Sequence, residues 1–178
     1  MSRECRRVPP DWEHPKDENG KHIPLKNGAK FEHAHAQWQE EKARWDQGEV
    51  VSFDGYGDRF WIPKPVELAG APFPEPDGPE PDPRDYMPVW PASQATHYQM
   101  YETTTEGTPI SPVMTGKEEL ARWLTDSGAN AYARQTASYE AWLEVCEGRE
   151  TVSGVIDNGR IISGVEFAVR PDQRGRSI

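Results

Sequence analysis

The sequence contains little cysteine, a small share of apolar residues and no long hydrophobic run. Its 178 residues include two cysteines, whereas small secreted domains usually carry larger, even sets, so a reducing cytoplasm is the simpler expectation. The hydrophobic fraction of 35% is below that of most globular domains. No apolar stretch approaches the ~20 residues of a membrane-spanning helix. Because residues 1–12 also lack the apolar segment of a signal peptide, we expect neither export nor membrane insertion.

Basic residues are in deficit as well. Lys and Arg number 20 against 30 Asp and Glu, which gives a formal net charge of −10. Nonspecific binding to nucleic acid needs Lys and Arg to displace counterions from phosphates, so this balance opposes direct nucleic-acid binding. It favours a basic protein surface as the partner. The acidic residues are concentrated in the middle of the chain, and arginines mark both ends: Arg3, Arg6, Arg7, Arg170, Arg174 and Arg176.

Aromatic residues and prolines are abundant. Seven Trp, six Tyr and five Phe compensate in part for the low apolar content, because each buried ring removes a large area from water. Composition and turn signals divide the chain into five predicted segments. They are an irregular arm (1–28), a Trp-rich helix and hairpin (29–62), an acidic proline-rich strap (63–91), an α+β core (92–169) and a basic tail (170–178).

A helix is predicted over residues 29–47. Phe31, Trp38 and Trp45 recur every seven residues, so their rings form a stripe on one side of the helix, and Gly48 is a natural stop signal. We favour packing of this stripe against its own domain over an oligomer or partner interface, although homo-oligomerisation stays open. The aromatic-rich residues 50–62 then predict a hairpin.

The strap prediction depends on proline density. Ten prolines between 63 and 91 exclude a helix and remove sheet hydrogen-bond donors, which favours an extended, polyproline-like chain. Such a segment is either an acidic spacer or a strap that covers its own core or occupies a partner's groove. For the second case, the candidate contacts are five acids and two aromatic anchors: Glu75, Asp77, Glu80, Asp82, Asp85, Tyr86 and Trp90.

The clearest local signals lie between residues 98 and 169. Strands are predicted over 98–104 and 108–113 around a turn at Glu106-Gly107. Thr115 and Glu118 fit a capping box that opens two amphipathic helices over 117–147, and Asn158-Gly159 predicts a hairpin within 152–169. The expected fold is a small α+β domain in which two to three helices pack with β-hairpins, plus the proline-rich acidic strap.

Motifs for catalysis or for cofactors are scarce. His33 and His35 are two residues apart on a predicted helix and so point in different directions, which argues against a metal site. Cys146 lies on an apolar helical face and is expected to be a buried hydrophobe, whereas Cys5, beside arginines, has the better electrostatics for a reactive thiol. The strand at Glu102–Glu106 offers paired carboxylates. We predict no cofactor.

Three stretches resemble a known group of proteins: RRVPPDWEHP, DYMPVWP, and HYQMYETTTEGTPISPV followed by EELARWLTDSGANAYARQTASYEAWL. They are similar to small proteins encoded by bacteriophages and prophages, a group without assigned catalytic residues. The resemblance implies a phage origin and a place in the host bacterial cytoplasm. By analogy within this class, it also implies an accessory protein that binds a host machine, such as a CRISPR effector.

The leading functional hypothesis is therefore a non-enzymatic, phage-encoded inhibitor of a host protein or protein–nucleic acid complex. Its acidic strap would mimic nucleic acid toward a basic groove, as an anti-CRISPR or other anti-defence protein does. One alternative is a virion or assembly component whose arms attach to neighbouring subunits. Another is a small enzyme that uses the Glu102–Glu106 strand.

Overall fold

The computed structural model describes residues 3–76, 78–103, 107–132, 134–148, 154–157 and 160–167. The chain divides into two compact units: unit 1 comprises Met1–Asn27 and Pro88–Ile178, and unit 2 comprises Gly28–Met87. The elements follow in the order β1 (Arg3–Val8), α1 (Phe31–Asp46), β2 (Glu49–Phe53), β3 (Arg59–Pro63), β4 (His97–Glu102), β5 (Thr108–Pro109), α2 (Lys117–Asp126), α3 (Tyr139–Cys146), β6 (Gly154–Asp157), β7 (Arg160–Ser163) and α4 (Gly164–Phe167). This mixture of helices and antiparallel sheets confirms the α+β class.

Unit 1 is built on the antiparallel sheet β1-β4-β5, with β4 in the centre. β1 pairs with β4 along its whole length, from Arg3 opposite Glu102 to Val8 opposite His97. The prediction of an irregular arm over 1–28 is therefore wrong for these six residues. The charged residues of this segment give no strand signal in the sequence, but the sheet buries both Arg3 and Arg6 and gives them polar partners.

The hydrophobic core of unit 1 lies between this sheet and the two helices that cover it, α2 and α3. Met100 of β4, Leu120 and Leu124 of α2, and Trp142 of α3 are fully buried. Burial of such side chains contributes about 1.5–3 kcal/mol each. The amphipathic spacing of the sequence thus positions both helices correctly, and Cys146 joins the same cluster as predicted.

The start of α2 corrects one detail of the sequence prediction. Gly116, not Thr115, is the N-cap residue, and the Gly116 carbonyl accepts the Leu120 amide at 3.0 Å. Because the helix begins one residue later, the reciprocal acceptor also moves by one position. The carboxylate of Glu119, rather than Glu118, accepts from the Thr115 amide at 3.1 Å and thereby closes the first turn.

The hairpin predicted within 152–169 is confirmed as β6-β7, in the register Val155–Ile162 and Ile156–Ile161. Its predicted turn, Asn158-Gly159, lies outside the described residues, as does the tail 170–178. The return strand is shorter than expected, because α4 follows at once. Ser163 at that junction is buried, and its hydroxyl accepts the Glu166 amide at 3.1 Å.

Unit 2 consists of α1, the β2-β3 hairpin and the segment that follows. The predicted helix and hairpin are confirmed, and Gly48 ends the helix with a φ of +87°. The aromatic stripe of α1 is covered from within the unit, as we favoured. Phe73 packs edge-on against Trp38 (ring centroids 5.7 Å apart) and Trp45 (6.2 Å), and Tyr86 packs against Phe31 (5.2 Å).

These contacts place Phe73 beside the later turns of α1 and Tyr86 beside its first turn, which is the reverse of the chain direction of the helix. About 13 residues of fully extended polyproline would span ~40 Å, whereas the helical positions that Phe73 and Tyr86 contact are only about 10–20 Å apart. A short 3-10 helix at Pro83–Asp85 shortens this path, and another precedes it at Val66–Leu68. The fully extended form of the proline-rich segment is therefore not confirmed. Within the described ranges, no helix has both the length and the apolar character to cross a bilayer.

Candidate functional site

Most of the net negative charge of the protein belongs to unit 2. Residues 28–87 hold thirteen acidic and six basic side chains, a formal charge of −7 out of a total of −10. Many of these carboxylates are solvent-exposed, and they are spread over the helix, the hairpin and the proline-rich segment. The exposed acids of unit 2 include Glu32, Glu40, Asp46, Asp54, Asp58, Glu67, Glu75, Glu80 and Asp85.

The basic side chains of unit 2 are mostly engaged inside it. Lys42 pairs with Asp46 at 3.0 Å, and Arg84 pairs with Asp82. Arg44 contacts Glu40 and Glu49 at 3.1 Å each and lies over the Trp61 ring. Arg59 pairs with the buried Glu41, and the Lys64 ammonium lies 3.9 Å from the Trp45 ring centroid. The remaining exposed carboxylates therefore give unit 2 a surface of one dominant sign.

The tip of the β2-β3 hairpin adds exposed aromatic rings to this acidic surface. Tyr56 is 95% exposed, Phe53 55% and Phe60 43%. Hydrogen bonds brace the loop, because the Asp54 carboxylate accepts from the amides of Tyr56 and Asp58 at 2.8 Å each. Sequence reasoning missed these rings as a site. Tyr56 lies between two glycines in a predicted turn, and from this position its exposure could have been predicted.

The predicted acidic contacts differ in their surroundings. Glu75, Glu80 and Asp85 are exposed, and Glu80 lies 3.3 Å from His35 Nε2. Asp82 caps the Pro83–Asp85 turn by accepting the Arg84 amide at 2.8 Å. Hydrogen bonds from the Arg84 side chain and then from its amide lower the pKa of Asp82 to about 2. Asp82 therefore holds local structure, and Asp77 lies outside the described residues.

The two predicted aromatic anchors are both used within the protein. Tyr86 is only 9% exposed beneath Phe31 in unit 2. Trp90 belongs to unit 1, where its ring lies 4.8 Å from that of Trp12. Each ring already has an intramolecular partner, and the two belong to different units. For this reason the exposed rings of the hairpin are the better apolar contacts beside the acids.

Two depressions lie between α1 and the hairpin. The larger, about 450 Å³, is lined by polar side chains that include Glu41, Gln37 and Arg59. Gln37 Nε2 donates to Glu41 at 3.1 Å, so the carboxylate is held by two internal donors. The smaller, about 230 Å³, is lined by Trp45, Phe73 and neighbouring apolar groups, and lies below the usual size of a small-molecule site. In the part of the chain that the structure describes, no group of three or more His, Cys, Asp or Glu side chains is arranged to hold a metal ion.

Glu102, the first carboxylate of the proposed catalytic strand, is committed to an ion pair. Its Oε1 lies 3.8 Å from Arg3 Nη1, and the two side chains are 8% and 2% exposed. Arg3 also donates to the Asn130 carbonyl at 2.8 and 3.0 Å. Residues 104–106 lie outside the described ranges. The arrangement at Glu102 is that of a buried structural pair, which does not favour the enzyme alternative.

A second polar cluster lies on the other side of the sheet in unit 1. The Tyr101 hydroxyl donates to Gln99 Oε1 at 2.7 Å, accepts from Trp12 Nε1 at 3.1 Å and lies 3.3 Å from His14 Nδ1. Burial raises the pKa of Tyr101 to about 12. The Tyr101 ring is fully buried and the Arg6 guanidinium lies over it, so the cluster joins the segment 12–14 to the sheet.

The surroundings of His14 predict that unit 1 loses stability in acid. Its Nε2 donates to the Ile23 carbonyl at 2.7 Å, and burial lowers the pKa of His14. Above about pH 6.5 the ring is neutral in both folded and unfolded states. As the pH falls below that value, the unfolded chain takes up a proton that the folded protein resists, so stability decreases. We expect the melting temperature to fall between pH 7.5 and pH 5.

The part of this decrease that belongs to His14 is measured by comparing variants. His14→Gln should show a smaller loss of melting temperature between pH 7.5 and pH 5, by a few degrees, whereas the exposed His33→Gln in unit 2 should follow the wild type. Equal pH profiles for all three proteins would show that His14 is not the titrating group.

Comparisons with known proteins add no family to this description. No protein-family model matches the chain, and no significant match is found among curated proteins or among solved structures. The functional inference therefore depends on the residues and surfaces described above.

Proposed function

We propose that this chain is a non-enzymatic binding protein whose acidic unit 2 engages a basic, nucleic-acid-binding surface of a protein partner. The observation that carries the proposal is the formal charge of −7 on unit 2, together with the internal pairing of most of its bases. A surface of dominant negative sign steers association with a positively charged groove and competes with phosphates for it. The setting we propose is a phage protein that inhibits a host defence complex in the bacterial cytoplasm.

Two further features support binding rather than catalysis. The aromatic stripe fixes the proline-rich segment on α1 through Phe73 and Tyr86, so the acids of that segment are presented from an ordered scaffold. Preorganised charges bind better than charges on a flexible chain, because less conformational entropy is lost on association. The exposed hairpin rings supply the type of side chain, Tyr above all, that dominates interface energies.

Neutralising the acids of unit 2 tests this function. The variant carries Glu67→Gln, Glu75→Gln, Glu80→Gln and Asp85→Asn, all at exposed positions, and keeps Asp82 because it caps a turn. The control variant carries Asp11→Asn, Glu13→Gln, Asp126→Asn and Glu147→Gln, exposed positions of unit 1. Both changes raise the net charge by the same amount, so they differ only in location.

The measurement begins with capture of partners from a bacterial lysate by the wild-type protein. Each recovered partner is then purified and bound to labelled DNA. The wild type and both variants are titrated into this complex, and release of the DNA is measured. We expect the unit 2 variant to bind at least about tenfold more weakly and with a smaller salt dependence, while the control stays near wild type. An equal loss of affinity in both variants would show that the attraction is a nonspecific effect of net charge. Undiminished DNA displacement by the unit 2 variant, or a partner that binds no nucleic acid, would exclude the mimicry proposal.

A further inference from the structure

The two cysteines of the chain meet in unit 1. Cys5 and Cys146 are separated by 140 intervening residues, yet β1 and α3 are in contact, and the thiol of Cys146 is close enough to act on the pKa of Cys5 as a hydrogen-bonding partner. Both thiols are free in the structure. Cys5 is half-buried at the margin of the core cluster to which Cys146 belongs. The fold thus brings both cysteines of the sequence to the same core cluster.

The surroundings of the two thiols are unequal. The hydrogen bond from Cys146 lowers the pKa of Cys5; the Lys117 ammonium acts in the same direction, while burial and Glu4 oppose it. The hydrogen bond with Cys5, followed by burial and then by negative charge on Cys5, raises the pKa of Cys146, which is only 3% exposed. Because the thiolate is the reactive form of cysteine, Cys5 is both the more nucleophilic and the more accessible of the pair.

We propose that Cys5 and Cys146 form a reversible disulfide in the folded protein, with Cys5 reacting first. The oxidant is a low-molecular-weight disulfide such as oxidised glutathione. The Cys5 thiolate attacks one sulfur of that disulfide and expels a glutathione thiolate, which leaves a mixed disulfide on Cys5. Cys146 then loses its proton to solvent and attacks the Cys5 sulfur, which expels the second glutathione as a thiolate. One disulfide has been reduced and one formed, so atoms and electrons balance.

The location of the bond gives it a physical effect. It would tie the edge strand β1 to the last turn of α3 and close a loop that contains all of unit 2. A cross-link that closes a loop of this length restricts the unfolded chain strongly and so favours the folded state. Oxidation therefore stabilises the N-terminal strand of the sheet, and reduction releases it. This inference is independent of the partner proposed above.

Oxidation of the full-length native protein with about 5 mM oxidised glutathione tests the proposal. We expect loss of both free thiols, a Cys5–Cys146 cross-linked peptide on non-reducing mass spectrometry, and a rise in melting temperature of about 5–15 °C that a reductant reverses. Two single variants separate the steps. In Cys146→Ser, the mixed disulfide on Cys5 should persist, whereas in Cys5→Ser the buried Cys146 should stay unmodified.

Three results would overturn it. One is that both thiols stay reduced when oxidised glutathione is added to the native protein but are oxidised when the protein is unfolded in urea. Another is a cross-link between Cys5 residues of two molecules in place of the intramolecular bond. The third is faster modification of Cys146 in Cys5→Ser than of Cys5 in Cys146→Ser, which would reverse the assigned order.

Discussion

Replacement of Gly107 with alanine is expected to destabilise the protein by about 3–5 kcal/mol. Gly107 has a φ of +62°, and a Cβ atom there would lie 2.4 Å from the backbone oxygen of Leu25. Leu25 has little freedom to move, because its amide donates to the Gly107 carbonyl at 3.1 Å and its carbonyl accepts from Arg6 at 2.8 Å. Urea denaturation at neutral pH measures the loss directly.

Gly20→Ala is the matched control for Gly107→Ala. Gly20 also belongs to unit 1 and has a φ of +78°, but no atom lies within 4 Å of the position that its new methyl group would take. Gly20→Ala should lower the free energy of unfolding by only about 1–2 kcal/mol, the backbone strain of an alanine held at positive φ. If both alanines cost the same, the close approach of the Leu25 carbonyl does not exist in solution.

The second large effect concerns the buried pair Arg3–Glu102. Arg3→Met should cost about 3–5 kcal/mol, because it leaves the carboxylate of Glu102 buried without its guanidinium partner. Both side chains are less than 10% exposed, so water cannot easily replace the lost partner. The exposed Arg7→Met, on the same strand, serves as the control and should change stability by less than about 0.5 kcal/mol.

The double variant Arg3→Met/Glu102→Leu completes this test. When both charges are removed together, no uncompensated charge stays buried, and much of the stability should return. Denaturant midpoints of the two single variants and the double variant give the coupling energy. An additive double variant would mean that the two side chains do not interact in solution.

Local elements of the fold were predictable, because their signals lie close together in the sequence. The seven-residue recurrence of Phe31, Trp38 and Trp45 placed α1, and Gly48 ended it where a positive φ was required. The same holds for α2 and α3, whose apolar spacing matched the buried faces. The backbone register of β6-β7 followed from the length of the connecting turn.

The long-range features were not predictable. β1 has the sequence RECRRV, which looks exposed until its partner β4, about 90 residues away, supplies Glu102 and Tyr101 as neighbours. The division of Tyr86 and Trp90 between two units has no marker in the sequence either, since the boundary at 87–88 lies within a continuous proline-rich stretch. The acidic surface, in contrast, was evident from composition alone, and what the structure adds is which acids are exposed.

The position of unit 2 within the chain also affects how the protein folds during synthesis. β1 leaves the ribosome before its partner β4, which follows only after about 90 more residues, and closing so large a loop is entropically costly. Unit 2 is continuous, and packing of Tyr86 on Phe31 brings its two ends together. Once it has folded, the flexible length between β1 and β4 falls roughly threefold, which lowers the closure cost by about 1 kcal/mol. The nested unit thus assists the assembly of the sheet that encloses it in the sequence.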